Sequence, residues 1–304
     1  TLTASNSLAD ADGMGTVSYQ WQRGGVDIAG ATGATYTTTQ TDVGATLRVI
    51  ASYTDGQGTA ESVASAATAA VANANDAPVG LPTIGGTPAE DQTLSADVSG
   101  ISDGDGLGTM SYQWTRDGSA IGGATASTYT LGDADVGANL RVVVSYTDGG
   151  GTLETLTSAP VGPVANVNDA PTGSVTIDDT TPTQGQTLTA SNTLADADGL
   201  GTISYQWQRG GVDIAGASGA TYTTTQADVG AALRVIASYT DGQGTPESVA
   251  SADTSAVSNV NDAPTGSVTI DDTTPTQGQT LTASNSLADA DGMGTVSYQW
   301  QRGG

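Results

Sequence analysis

The chain has 304 residues and a formal net charge of −25, with 32 acidic residues, seven basic ones and no histidine, cysteine or phenylalanine. All seven basic residues are arginine, so the composition excludes disulfides, zinc thiolates, thiol nucleophiles and lysine Schiff bases or isopeptide crosslinks. We therefore expect no enzymatic activity, and the charge and the lack of an 18-residue apolar run argue against nucleic-acid binding and membrane insertion.

The chain is a tandem repeat. Trp21, Trp114, Trp207 and Trp300 are spaced 93 residues apart, and 280–304 repeats 1–25 letter for letter. A period of 93 fits one small all-β domain and is too long for most solenoid units. We divide the chain into repeat 1 (1–74, a partial domain without its first strand), repeat 2 (75–167), repeat 3 (168–260) and repeat 4 (261–304, the N-terminal part of a further domain). We expect this to be a segment of a longer array.

Within repeat 3, short alternating segments follow one another with turn residues between them. Strands are predicted at 172–177, 186–192, 202–209, 212–214, 220–225, 231–239 and 247–257. In the clearest of them, Ile203, Tyr205 and Trp207 share one face, which predicts that the tryptophans are core residues rather than sugar-stacking platforms. No segment has helical periodicity. Seven short strands of this kind indicate an all-β fold, a β-sandwich.

Two motifs carry a family resemblance. Tyr205-x-Trp207 on a central strand, followed by Ala227-Asp228-Val229-Gly230 and a long alternating strand, resembles an immunoglobulin-type domain. The blocks are also similar to the tandem immunoglobulin-like or cadherin-like repeats of very large bacterial surface proteins and secreted adhesins. Asn-Asp-Ala-Pro linkers and Asp-x-Asp-Gly loops recur in those arrays. The resemblance implies tandem immunoglobulin-like sandwiches joined by short linkers, and an extracellular or bacterial cell-surface location.

An acidic linker recurs at 73–78, 166–171 and 259–264, each copy ending in Asn-Asp-Ala-Pro. In an immunoglobulin-like sandwich, the B–C loop, the F–G loop and the N-terminus lie at the same end, so their oxygens converge. Calcium takes six to eight such oxygens, and we predict a Ca²⁺ site at each junction. The candidate ligands are Asp10, Asp12 and Asp55 in repeat 1; Asn75, Asp76, Asp103, Asp105, Asp148 and Asp135 in repeat 2; Asn168, Asp169, Asp196, Asp198 and Asp241 in repeat 3; and Asn261, Asp262, Asp289 and Asp291 in repeat 4.

Two other interpretations of these aspartates stay open. Aspartate and glycine are turn formers, and aspartate side chains cap local backbone N–H groups without any metal. Paired carboxylates also serve glycoside hydrolysis. Asp135 and its equivalents Asp42 and Asp228 have a further explanation, because an aspartate at the E–F corner commonly hydrogen-bonds its own turn.

Near-identical repeats are typical of a spacer, since recognition sites diverge from their neighbours. We expect a structural array, either a calcium-rigidified adhesin stalk or a segment of an extracellular fibre. Its partners would be its own neighbouring repeats, copies of the same chain in a fibre, and a host or surface ligand bound by domains outside this segment. The alternative is a carbohydrate- or surface-ligand-binding module, for which Tyr36, Tyr129 and Tyr222 are the candidate aromatics.

Overall fold

The computed structural model describes residues 1–303, and the regular structure there consists of antiparallel strands and three single 3₁₀ turns. Gly304, the last residue of repeat 4, lies outside the described residues. The chain divides into two compact units, one of residues Thr1–Asn166 and one from Val167 onward, and each is described by itself. Within residues 1–303, no helix is long and apolar enough to cross a membrane.

The first unit holds repeat 1 and repeat 2 as far as Asn166. Repeat 1 holds β1 (Leu2–Thr3), β2 (Ser18–Arg23), β3 (Val26–Asp27), β4 (Thr35–Tyr36), β5 (Leu47–Thr54) and β6 (Ala60–Ala64). Repeat 2 holds β7 (Thr83–Gly85), β8 (Thr93–Asp97), β9 (Ser111–Arg116), β10 (Ser119–Ala120), β11 (Thr128–Thr130), β12 (Leu140–Thr147) and β13 (Leu153–Thr157). The 3₁₀ turns are Gln40–Asp42 and Asp133–Asp135.

The second unit, from Val167 onward, holds repeats 3 and 4. Repeat 3 holds β14 (Val175–Ile177), β15 (Thr187–Asn192), β16 (Ser204–Arg209), β17 (Val212–Asp213), β18 (Thr221–Thr223), β19 (Leu233–Thr240) and β20 (Pro246–Ala250), with a 3₁₀ turn at Gln226–Asp228. Repeat 4 contributes the hairpin of β21 (Val268–Ile270) and β22 (Ala283–Asn285).

The strand order is that of an immunoglobulin-like sandwich. In repeat 3, one sheet has the order β14-β15-β18 and the other β17-β16-β19-β20, and repeat 2 repeats this arrangement with β7-β8-β11 and β10-β9-β12-β13. The second sheet is built on the pairing of β16 with β19, in which Trp207 lies opposite Val235. The prediction of an all-β fold of tandem immunoglobulin-like sandwiches is confirmed.

The predicted alternation places the core correctly. On β19, Leu233, Val235 and Ala237 are fully buried, as are Leu188 of β15 and Trp207 of β16. The indole N–H of Trp207 donates to the carbonyl of Gly219 at 3.0 Å, which satisfies the polar atom that its burial removes from water. Trp21 and Trp114 are buried in the same way.

Two sequence predictions need correction. The last strand of repeat 3 was predicted over 247–257, but β20 ends at Ala250 because the hydroxyls of Ser251 and Thr254 hydrogen-bond the backbone N–H groups of β19 in place of a regular ladder. Trp300 is 49% exposed, unlike the other tryptophans. The counterparts of Leu233 and Val235, which cover Trp207, are not among the residues of repeat 4.

Candidate metal site beside the repeat linker

Three carboxylates of repeat 2 converge at the end where the linker enters. Asp103 lies in the B–C loop, which joins β8 to β9. Asp148 follows β12, and Glu154 lies on β13, across the turn from Asp148. One oxygen from each lies within 4.8 Å of the others. We call Asp103, Asp148 and Glu154 the carboxylate triad. At this spacing three negative charges repel one another, and a cation between them would remove that cost.

Local hydrogen bonds orient both aspartates of the carboxylate triad. Asp148 accepts the backbone N–H of Thr152 at 2.7 Å, and Asp103 accepts the backbone N–H of Asp105 at 2.9 Å. The phenol of Tyr146 donates to the other oxygen of Asp103 at 2.6 Å. Burial, then this hydrogen bond and the charge of Asp103, raise the pKa of Tyr146, so the phenol stays a donor at neutral pH.

One oxygen of the carboxylate triad lacks any protein partner. Asp148 is 6% exposed, and its Oδ2 has no hydrogen-bond partner among the described residues. Burying an unsatisfied carboxylate oxygen is costly, so turn formation alone does not account for this atom. A bound cation would account for it.

The linker reaches the carboxylate triad through an asparagine. The side-chain amide of Asn75 donates to Oε1 of Glu154 at 2.9 Å. In repeat 3 the amide of Asn168 donates to Glu247 at the same distance. The linker asparagine therefore lies beside these carboxylates through its amide nitrogen, and its role as a metal ligand stays a prediction.

Repeat 3 keeps the hydrogen bonds of the two aspartates. Asp196 accepts a hydrogen bond of 2.5 Å from the phenol of Tyr239, and Asp241 accepts the backbone N–H groups of Gln243 and Thr245. Asp241 is 6% exposed, and its Oδ2 again has no partner among the described residues. Burial raises the pKa of Asp241, but the backbone N–H groups of Thr245 and Gln243 outweigh it and hold that pKa below its usual value.

Repeats 1 and 4 keep parts of the same geometry. In repeat 1, Asp10 accepts from Tyr53 at 2.9 Å and Asp55 caps the turn at Thr59. In repeats 1 and 4 the first aspartate of the B–C loop accepts the N–H of the second, joining Asp12 to Asp10 and Asp291 to Asp289.

The second aspartate of the B–C loop holds the linker rather than the carboxylate triad. Asp105 accepts the backbone N–H of Asp76 at 2.8 Å, and the equivalent contacts join Asp169 to Asp198 and Asp262 to Asp291. The predicted ligands thus divide into two sets. Asp103 and Asp148 belong to the candidate cation site, whereas Asp105 fixes the path of the linker.

The aspartates of the E–F corner, which is the 3₁₀ turn before β12 in repeat 2, have partners outside the carboxylate triad. Asp135 is buried and forms an ion pair with Arg116 at 2.7 Å, and its other oxygen accepts from Tyr129 and from the backbone N–H of Gly132. Asp42 and Asp228 do the same with Arg23 and Arg209. These contacts explain Asp135 without a metal, as the alternative interpretation of the sequence held.

Sequence reasoning missed Glu154 and Tyr146. Glu154 lies on a strand whose other residues alternate in the usual way, so nothing local marks it as a ligand. Its equivalents Glu61 and Glu247 occur at the same place in repeats 1 and 3, and that recurrence was the available signal.

Comparison with known proteins adds fold-level neighbours only. No family model matches the chain, and no curated protein sequence matches it. Among solved structures, it is similar to an adhesin described as Ca²⁺-stabilized, with which an Antarctic bacterium binds ice (15% identity, 86% of this chain and 68% of that one, TM-score 0.30). It is also similar to the D1–D4 ectodomain fragment of ICAM-5 (16% identity, 79% and 68%, TM-score 0.34). A third is a 1.5-MDa bacterial ice-binding adhesin (14% identity, 83% and 89%, TM-score 0.28).

Proposed function

We propose that this chain is a segment of a long extracellular bacterial protein of the adhesin kind, in which tandem sandwiches act as a spacer and Ca²⁺ stiffens the joints. The spacer is either a stalk that holds a distal binding domain away from the cell or a segment of an extracellular fibre. Its direct partners are its neighbouring repeats, with copies of the chain as further partners in a fibre. Contact with a host or surface ligand belongs to domains outside these residues.

The observation that carries the calcium part is the unpartnered Oδ2 of buried Asp148 inside the carboxylate triad. All the donors there are oxygens, which Ca²⁺ prefers, and the chain lacks the thiolate and imidazole ligands typical of zinc. Asp103, Asp148 and Glu154 would hold the ion. Bound Ca²⁺ would neutralise their mutual repulsion and tie the B–C loop to β13.

The spacer part rests on the repetition itself. The linker carries a proline in every copy, which stiffens the backbone. The carboxylate triad lies next to that linker, since Asn75 bonds Glu154. A cation at this place would restrict the linker, and a restricted linker keeps an array from coiling.

The ligand-binding alternative is not favoured by the tyrosines that motivated it. Tyr36, Tyr129 and Tyr222 each lie against the core tryptophan of their repeat, with ring centroids 5.7–5.9 Å apart. Their phenols donate to Asp42, Asp135 and Asp228. Side chains engaged in this way do not present a flat aromatic face to a sugar.

A calcium titration of the whole chain tests the proposal. We expect Ca²⁺ to raise the melting temperature saturably and to lengthen and stiffen the particle in small-angle scattering, with both effects reversed by chelator. Asp148→Asn keeps an oxygen for the Thr152 N–H but removes the charge, so it should lower calcium affinity at least tenfold. The control is Asp27→Asn, at an exposed aspartate that bonds Gln22. Identical titrations for both variants would overturn the proposal.

A further inference from the structure

Repeat 1 reaches across the first joint with a single glutamine. Gln40 begins the 3₁₀ turn of repeat 1, and its Nε2 donates to Oδ1 of Asp105, in the B–C loop of repeat 2, at 2.6 Å. The same amide lies 3.3 Å from the side-chain oxygen of Asn73 in the linker. All three residues belong to the compact unit Thr1–Asn166.

This contact uses the remaining acceptor capacity of a buried carboxylate. Asp105 is 8% exposed, and its other oxygen accepts the backbone N–H of Asp76. A hydrogen bond from an amide to an ionised acceptor is stronger than one between neutral groups, and the low exposure of Asp105 shields it from water. Both oxygens of Asp105 are therefore satisfied by protein donors.

Two glycines show how closely the linker is seated at this place. A Cβ on Gly104 would lie 2.6 Å from the Asp76 carboxylate, and a Cβ on Gly150 would lie 2.2 Å from the amide of Asn73. Larger residues in these two loops of repeat 2 would displace the side chains of Asp76 and Asn73, and Asn73 also contacts the amide of Gln40. The joint is thus packed as well as hydrogen-bonded.

We propose that Gln40 is a metal-independent latch, whose amide binds Asp105 outside the carboxylate triad and fixes the angle between repeats 1 and 2. An amide–carboxylate contact also joins repeats 3 and 4, but through residues at other positions: Nε2 of Gln184 donates to Oδ2 of Asp262 in the linker at 2.7 Å. The latch goes beyond the calcium proposal, because it orders the joint when no ion is bound. In repeat 2 the position of Gln40 is taken by Asp133, which has no N–H to donate when ionised.

The chain has no cysteine, so two introduced cysteines give unique spin-label sites. Thr35→Cys on β4 and Thr128→Cys on β11 are exposed equivalent positions in repeats 1 and 2, and pulsed electron spin resonance gives the distribution of distances between them. In chelator we expect a narrow distribution for the parent. Gln40→Ala should widen it at least twofold, and Gln40→Glu should widen it further because two carboxylates would then face each other.

Gln226→Ala is the matched control, since Gln226 is the equivalent glutamine of repeat 3 and should leave the label distances unchanged. Melting of each variant checks that the sandwiches remain folded. A Gln40→Ala distribution in chelator as narrow as that of the parent would overturn the latch. If Ca²⁺ has no effect on the parent but Gln40→Ala still widens the distribution, the calcium proposal fails and the latch stands.

Discussion

Three buried aspartates each join an arginine, a tyrosine and the start of a 3₁₀ turn. In repeat 3, Asp228 accepts from Arg209 at 2.6 Å, from Tyr222 at 2.8 Å and from the backbone N–H of Thr225 at 2.6 Å. The carboxylate thereby ties β16, β18 and the E–F corner together. Because its acceptor sites are filled by three separate elements, loss of the charge would loosen all of them.

This arrangement predicts that part of the free energy of unfolding is lost in acid. Burial opposes ionisation of Asp228, but the donors Thr225, Tyr222 and Arg209 outweigh it and lower its pKa. A carboxyl with a lowered folded-state pKa contributes stability that is complete above its unfolded pKa of about 3.9 and is lost as the pH falls through the folded value. In chelator, urea unfolding should therefore show constant stability from pH 7 to about 5 and a decline below about 4.

Asp228→Asn separates the contribution of ionised Asp228 to the free energy of unfolding from the effect of protonating the other carboxylates. It should be less stable than the parent at pH 7, and the difference should shrink toward pH 3. A difference that stays constant over this range would show that Asp228 does not titrate with folding.

The partners of some site side chains could be predicted from the sequence, and those of others could not. The loop aspartates Asp103 and Asp148 could be placed together because immunoglobulin topology puts their loops at one end. For Glu154 the sequence offered only its recurrence as Glu61 and Glu247. Gln40 could not be placed, because its partner Asp105 is 65 residues away in another repeat. Long-range contacts between side chains of different repeats leave no local pattern.

At the scale of elements, the sandwich depends on the buried faces of β16 and β19. The alternation of apolar and polar residues in these strands predicted which face is buried, since a shift of one residue would move every apolar side chain to the solvent face. Strand ends were less predictable, as β20 shows, because serine and threonine hydroxyls replace backbone partners there. The core is lean, with no phenylalanine, so each tryptophan covers a large share of it.

Trp207→Ala should lower the stability of repeat 3 by about 3–5 kcal/mol, the usual cost of removing a buried tryptophan side chain. Val212→Ala is the control within the same repeat, because Val212 is 71% exposed, and this substitution should cost under about 1 kcal/mol. Hydrogen exchange of the amides of β16 and β19 reports the local opening free energy. Equal effects of the two substitutions would show that burial in the sandwich does not determine the contribution of the tryptophan.

A glycine fixes the B–C loop against β12 beside the carboxylate triad. A Cβ on Gly108 would lie 1.9 Å from the carbonyl oxygen of Thr147, so Gly108→Ala must shift the backbone of one of the two segments. We expect a loss of about 1–3 kcal/mol and weaker Ca²⁺ binding, because Asp103 and Asp148 lie on the segments that separate. Gly122→Ala is the control, since a Cβ there has nothing within 4 Å. Calorimetric titration of both variants with Ca²⁺ checks the expectation, which fails if their affinities agree.

At the scale of the whole molecule, the net charge of −25 acts on every repeat. Most of the acidic side chains are separate from the carboxylate triad, and their repulsion is long-ranged and screened by any salt. The carboxylate triad is different, because its charges lie within 4.8 Å and one of its oxygens is buried without a partner. The two contributions respond to different ions.

Melting in Ca²⁺, Mg²⁺ and NaCl at equal ionic strength separates the long-range repulsion from the carboxylate triad. NaCl should raise the melting temperature of the chelated chain gradually and without saturation, because it only screens the net charge. Ca²⁺ should produce a further, saturable increase at a concentration too low to screen. Mg²⁺ should produce much less, since it demands a regular octahedron and keeps its waters, whereas Ca²⁺ accepts the irregular set of carboxylate oxygens around Asp148. Equal increases from all three would assign the whole effect to screening and would remove the carboxylate triad as a binding site.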